Sequence, residues 1–298
     1  MFKIKVLFFC YIFFAIPFWA NSQKRLKRAE SFLGFHFDFH ATAADKSLGS
    51  CFDTALLANF LKRTRPDYIQ IDSKGHPGYS SYPTSVGYSA NSFVKDPMRI
   101  WRDVTNQFNV PLYVHYSGLW DDKGIHENPH WGRRNAKGII DSTKAAYLGG
   151  YAEKLMIPQL KEMIDTYNID GAWVDGDCWS TAPDYSPEVV KGFLDETGLK
   201  KVPVSAADIN YKKWIEYNRV IYRRYLKNYV DKLHSYKPDF QIASNWAYSS
   251  MMPEKVDVNV DFLSGDVSGQ NGLCSAAFQA RCLALQGKPW DLMAWGFV

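Results

Sequence analysis

Ile169-Asp170-Gly171-Ala172-Trp173-Val174-Asp175-Gly176-Asp177-Cys178-Trp179 reads as a short apolar strand that ends on a carboxylate. Alternation sends Trp173 and Asp175 to one face, and Ala172 and Val174 to the other. Gly176 follows directly and leaves room for a ligand beside the carboxylate. A carboxylate closing a strand, then a glycine, with tryptophans on either side, is placed where a substrate carbon is attacked in a barrel enzyme. Asp175 is therefore the first catalytic candidate. Asp177 suits a cap of the following turn and is also a candidate for substrate contact, as are Trp173 and Trp179.

Outward from this segment the same unit recurs. Apolar strands are predicted at Phe35–His40, Tyr68–Asp72, Leu112–Tyr116, Ala172–Asp175, Gln241–Asn245, Phe262–Gly265 and Trp290–Trp295. Helical stripes lie between them, among them Trp101, Val104 and Phe108 after Asp96-Pro97, and the long run Trp214, Tyr217, Ile221, Tyr225, Tyr229 and Leu233. Strands alternating with helices predict an α/β fold with a parallel sheet. No GxGxxG or GxxxxGK[ST] follows a strand, which removes the nucleotide-binding open sheet. Polar clusters follow most strands instead, as a (β/α)8 TIM barrel requires of its C-terminal face. The expected organisation is one barrel domain over residues 31–298. Only seven strands can be counted, because Val202-Pro203-Val204 is too short and carries a proline. The expectation is a barrel truncated before its eighth strand.

Residues 1–22 have the pattern of a secretory signal peptide: two lysines, an apolar run from Val6 to Ala20, and a small-residue exit at Ala20 and Ser22. The run is shorter than the ~20 residues of a membrane span. A secreted or periplasmic protein is expected, with no membrane association after cleavage. The composition, 46% hydrophobic and 22% charged, excludes disorder. A net charge of +4, with one short basic segment at Lys24–Arg28, does not suit a nucleic-acid partner. Aromatic residues make up 16%, more than one core needs, and point to rings that stack on a ligand. The five cysteines are scattered; Cys274 and Cys282 fall on one predicted helix, ~12 Å apart, too far to bridge.

Phe35-His36-Phe37-Asp38-Phe39-His40 alternates strictly, with three rings on one face and two histidines and an aspartate on the other. HxDxH invites a metal reading. The fifth and sixth strands end in Asn245-Trp246 and Asp266 with no histidine, so no metal and no cofactor are expected. His40 is read as a hydroxyl-binding residue, and His36 with Asp38 as an internal hydrogen-bonded pair.

The phrase Trp173-Val-Asp175-Gly176 resembles the W-x-D-G of glycoside hydrolase family 29, the α-L-fucosidases. Gly34-Phe-His-Phe-Asp-Phe-His40, Asp72-Ser-Lys-Gly-His-Pro-Gly-Tyr79, Val114-His-Tyr-Ser-Gly-Leu-Trp120, Ser244-Asn-Trp-Ala-Tyr248 and Leu263-Ser-Gly-Asp266 are similar to uncharacterised secreted barrels classed as hypothetical glycosyl hydrolases. The resemblance covers roughly residues 31 to 297. It implies a glycoside hydrolase, α-L-fucosidase-like, with a carbohydrate substrate and Asp175 as nucleophile. The family's acid/base is a glutamate at a later, variable position. This sequence offers Asp266, which has the address, and Glu254, which has the residue type. Asp72, Lys74, His76, His115 and Asn245 are candidates for sugar hydroxyls, and Trp120, Trp246 and Trp295 for stacking. The rivals are a barrel glycosidase of other specificity and a carbohydrate-binding barrel without an acid.

Overall fold

A computed structural model describes residues 24–177, 182–245, 255–267, 270, 272–294 and 296. The expected signal segment, and Trp179, Trp246, Glu254 and Trp295, lie outside the described residues.

Seven strands carry the fold: β1 (Gly34–Phe37), β2 (Tyr68–Lys74), β3 (Leu112–Ser117), β4 (Gly171–Asp175), β5 (Gln241–Ser244), β6 (Leu263–Val267) and β7 (Trp290–Ala294). β1 to β5 pair in sequence order and always in parallel, through Gly34↔Tyr68, Ile69↔Leu112, Tyr113↔Gly171 and Gly171↔Gln241. β6 and β7 form a second parallel pair, joined to β5 by the single bridge Asn245↔Ser264. Two short strands, Tyr79–Ser80 and Tyr88–Ser89, extend from the upper end of β2.

The seven expected strands are present, and among the described residues they form an open arc and not a closed barrel. Among the described residues β7 does not pair with β1, and a cavity of about 970 Å3 separates them, lined by His36, Gln70, Ser264, Asp291 and Met293. β1 is shorter than its sequence pattern. Its ladder with β2 ends at Phe37↔Ile71, so Asp38, Phe39 and His40 leave the sheet and Phe39 is exposed. Residues 202–204 form no strand.

The longer helices are α1 (Thr54–Thr64), α2 (Pro97–Gln107), α3 (Ile157–Tyr167), α4 (Pro187–Thr197), α5 (Tyr211–Tyr236) and α6 (Gly272–Ala284). Local chemistry sets their ends. The Asp53 carboxylate accepts from the Ala55 and Leu56 amides, and Asp96 accepts from Arg99 with Pro97 in the first turn. Gly198, at φ 67°, stops α4 in the left-handed conformation.

Period two divides the core. Ile69, Ile71, Leu112, Val114, Ala172, Val174 and Ile242 face outward onto the helices, against Trp101, Val104, Leu160, Tyr225 and Tyr229. Each such fully buried side chain contributes roughly 1.5–3 kcal/mol. Tyr113, Trp173, Ala243 and Phe262 face inward as a second cluster. Arg28 closes this interior from below. Its guanidinium lies 3.5 Å from the Tyr68 ring centroid, 4.5 Å from Phe262 and 4.8 Å from Tyr113. Nη2 is 2.7 Å from Asp291 Oδ2, and the Arg28 backbone amide donates to Gln241 Oε1 at 2.8 Å.

Candidate active site

The inward positions at the C-terminal ends of the strands are polar. β2 brings Asp72, β3 His115, β4 Asp175, and the residue after β5 is Asn245. Parallel registers His115↔Trp173 and Trp173↔Ala243 keep these inward rows level, so the next inward residues meet above them.

Asp175 is buried at the centre. Asn245 Nδ2 donates to its Oδ1 at 2.7 Å, and His115 Nε2 lies 3.3 Å from its Oδ2. Burial works to raise its pKa, but the His115 hydrogen bond and charge, with His76 and Asn245, hold the carboxyl well below the usual carboxylate range. Asp175 is an ionised carboxylate in a dry site. His115 Nδ1 is 2.5 Å from Asp72 Oδ1 on its other side. Burial opposes its charge, yet the two carboxylates raise the imidazole to about 10. Whichever of Nδ1 and Asp72 holds the proton between them, Nε2 keeps its hydrogen towards Asp175.

His76 approaches the same oxygen as His115, with Nε2 3.6 Å from Asp175 Oδ2. Burial pushes it down to about 3, so it is neutral. The Ser117 hydroxyl donates to the Trp120 carbonyl at 2.6 Å, which leaves Ser117 Oγ to accept from His76 Nδ1 at 2.6 Å. His76 Nε2 is then a bare acceptor beside Asp175, open to the hydrogen of one substrate hydroxyl. His40 stacks on His115 at 5.3 Å and 9°, and Gly75 makes room for it, since a Cβ there meets the His40 ring at 2.5 Å. Gly176 has φ 77°, so the turn after the carboxylate favours glycine.

His40, Asp72, His76, His115, Asp175 and Asn245 are thus brought together. Other candidates are placed elsewhere. Lys74 is buried below the mouth, its Nζ 2.8 Å from Asp121 Oδ2, where the Tyr151 hydroxyl also donates. Trp120 is sandwiched between His76 (4.2 Å, 7°) and Lys144, which covers its other face. Trp173 is the floor: it is buried and its indole donates to the Ser264 carbonyl. Asp177 points behind the sheet, accepting from Tyr225, Tyr229, Ser244 and the Leu119 amide. Asp266 lies on β6, two residues beyond the inward-facing Ser264 on the same side of the strand. Asp38, read from sequence as internal, stands exposed at the mouth, 3.2 Å from His40 Nε2.

A family model described as "Alpha-L-fucosidase" matches residues 18–261. The chain belongs to the α-L-fucosidase family. Among solved structures it is similar to α-L-fucosidase isoenzyme 2 from Paenibacillus thiaminolyticus, at 16% identity and TM-score 0.65, covering 89% of this chain and 46% of that one. An α-L-fucosidase from Vibrio sp. strain EJY3 gives 13% identity and TM-score 0.47 over 85% of this chain and 41% of that one. A hypothetical protein from Ruminiclostridium thermocellum gives 11% and 0.45 over 72% and 97%. The chain spans just under half the length of the two fucosidases. No curated protein matches. The matched region holds all six clustered residues, and Asp266 falls beyond it.

Behind the sheet, Asp177 supplies a test of burial. Its surroundings raise the carboxyl from the ordinary 3.8 to about 7, burial outweighing four donors. A carboxyl raised on folding stabilises least when ionised, so stability falls as pH rises from about 4 to 7, by on the order of 4 kcal/mol. The melting-temperature difference between Asp177→Asn and the parent is expected to rise with pH across that window and level off above 8. A difference that stays constant from pH 4 to 8 refutes the raised pKa.

Proposed function

We propose that this protein is a glycoside hydrolase that cleaves a terminal α-L-fucoside or a closely similar sugar, with Asp175 as nucleophile. The observation that carries this reading is the buried, ionised Asp175 at the end of β4, fixed by Asn245 and His115. Glycoside hydrolysis needs such a carboxylate at the anomeric carbon and a protonated carboxyl at the leaving oxygen. Asp175 stays anionic because His115 donates to it, and it is held in place because Asn245 takes its second oxygen. His76 and His40 offer ring nitrogens to hydroxyls around it. Asp266 is the proposed acid, since it continues the inward row of β6; Glu254 is the alternative. The seven strands are inferred to be an arc of a (β/α)8 barrel, with the 970 Å3 gap between β7 and β1 as the place of a further strand. Export through the residue 1–22 signal belongs to the same reading.

The test is a screen of aryl glycosides with the full chain. Hydrolysis of aryl α-L-fucoside above all other sugars is expected. Turnover of a different glycoside alone replaces the sugar; fucose binding without turnover of any aryl glycoside supports a binding barrel instead.

A further inference from the structure

Asp38, within the HxDxH run that begins on β1, is not used by the glycosidase reading, and its surroundings are unusual. One donor atom each from Asp38, His40, Asp72 and His115 lies within 4.8 Å of every other. Asp72 and His115 are set opposite each other by the parallel register of β2 and β3, and Asp38 and His40 reach them from the segment that follows β1. We propose that Asp38, His40, Asp72 and His115 form a binding site for one divalent transition-metal ion of the zinc class.

Three observations carry the assignment. Two imidazoles and two carboxylates are an ordinary donor set for such an ion, whose tetrahedral ligands stand ~3.4 Å apart at bond lengths of 2.0–2.2 Å. Asp38 Oδ1 and His40 Nε2 are already 3.2 Å apart. Second, Asp72 Oδ2 is buried with no hydrogen-bond partner, on a side chain only 1% exposed. A carboxylate oxygen in that position is costly unless a cation or donor meets it. Third, the outer contacts are those of a metal site. His115 turns Nδ1 to the cluster and Nε2 to Asp175, the carboxylate–histidine arrangement that fixes a ligand's tautomer. His36 is fixed by Gln70 at 2.7 Å through Nδ1, and its otherwise unpartnered Nε2 points to Asp38 Oδ1 at 3.7 Å.

A route in from solvent exists: Asp38 and Asp72 both line a cavity of about 430 Å3 between the residue 37–52 loop and the start of α2. The ion displaces the proton between His115 Nδ1 and Asp72 Oδ1, and that proton leaves to solvent. Histidines on the fifth and sixth strands are not needed, because β2 and β3 supply the remaining ligands.

The site goes beyond the glycosidase reading, since a chain without hydrolytic activity still binds the ion. The full chain, freed of metal by dialysis against a chelator, is titrated with zinc chloride by calorimetry. One ion per chain is expected, retained on desalting and confirmed by elemental analysis. His40→Gln and Asp38→Asn, both at solvent-accessible positions, each weaken binding about tenfold or more. Asp72→Asn does the same where circular dichroism shows it folded. His130→Ala, away from the cluster, binds as the parent does. Failure of the parent to retain zinc, or unchanged affinity in both His40→Gln and Asp38→Asn, overturns the site.

Discussion

Asp175→Ala is expected to lower kcat by roughly three orders of magnitude or more, with a much smaller change in KM. The reason is the division of labour around this carboxylate. Asn245 and His115 each engage one of its oxygens and hold it ionised and in place, so it contributes to bond breaking more than to ground-state binding. Asn245→Ala removes one donor and leaves the charge, and its loss should be smaller, on the order of tenfold to a hundredfold. A small anion can take the place of the carboxylate that Asp175→Ala removes, and azide should partly restore turnover. Activity of Asp175→Ala within a few-fold of the parent on the preferred aryl glycoside, in a protein with a parental melting curve, removes Asp175 as nucleophile. Complete loss with no azide rescue points to Asp175 as the base of an inverting reaction. The carboxyl separation then separates the two mechanisms, ~5–5.5 Å for retention and ~6.5–9.5 Å for inversion.

What could be read without coordinates was set by period two. Strands β2 to β5 alternate cleanly, so the inward face of each, and with it Asp72, His115, Asp175 and Asn245, follows from the sequence alone. Partners far apart in sequence were not legible. Lys74 follows a strand and has the address of a ligand-binding residue, but its irregular register after Asp72 turns it to Asp121, forty-seven positions on. Trp120 was expected to offer a free face; Lys144 from the Ile140–Ala145 strand covers it. Asp177 is separated from Asp175 by one residue, yet the positive-φ turn at Gly176 sends it through the sheet to the tyrosines of α5. Asp38 was misplaced for a different reason: alternation continues in the sequence after the ladder has ended.

Arg28→Ala is expected to destabilise the folded chain by about 3 kcal/mol, seen as a fall of roughly 10 °C in melting temperature. Within the short basic segment Lys24–Arg28, Arg25 is part-buried, with one-quarter of its side chain exposed. Arg25 pairs with Asp170, which keeps Arg102 at 2.7 Å when Arg25 is removed. Arg28 is different: its side chain is only 4% exposed and sits under three aromatic rings. Its removal strips the ring faces of their cation, opens a void at the base of the interior, and leaves Asp291 without its counter-charge. Asp291 is one-quarter exposed, which lets water meet it and keeps the loss below that of a fully buried broken pair. The Arg28 side chain also ties β7, through Asp291, to Tyr68 on β2, so its loss should weaken the β6–β7 pair first. Among the described residues a single β-bridge, Asn245↔Ser264, pairs it with the β5 edge. Amide exchange should therefore accelerate in β6 and β7 before β3 and β4, whereas Arg25→Ala should cost less than about 1 kcal/mol. Equal melting temperatures for the two variants would show that Arg28 does not brace the open end of the sheet.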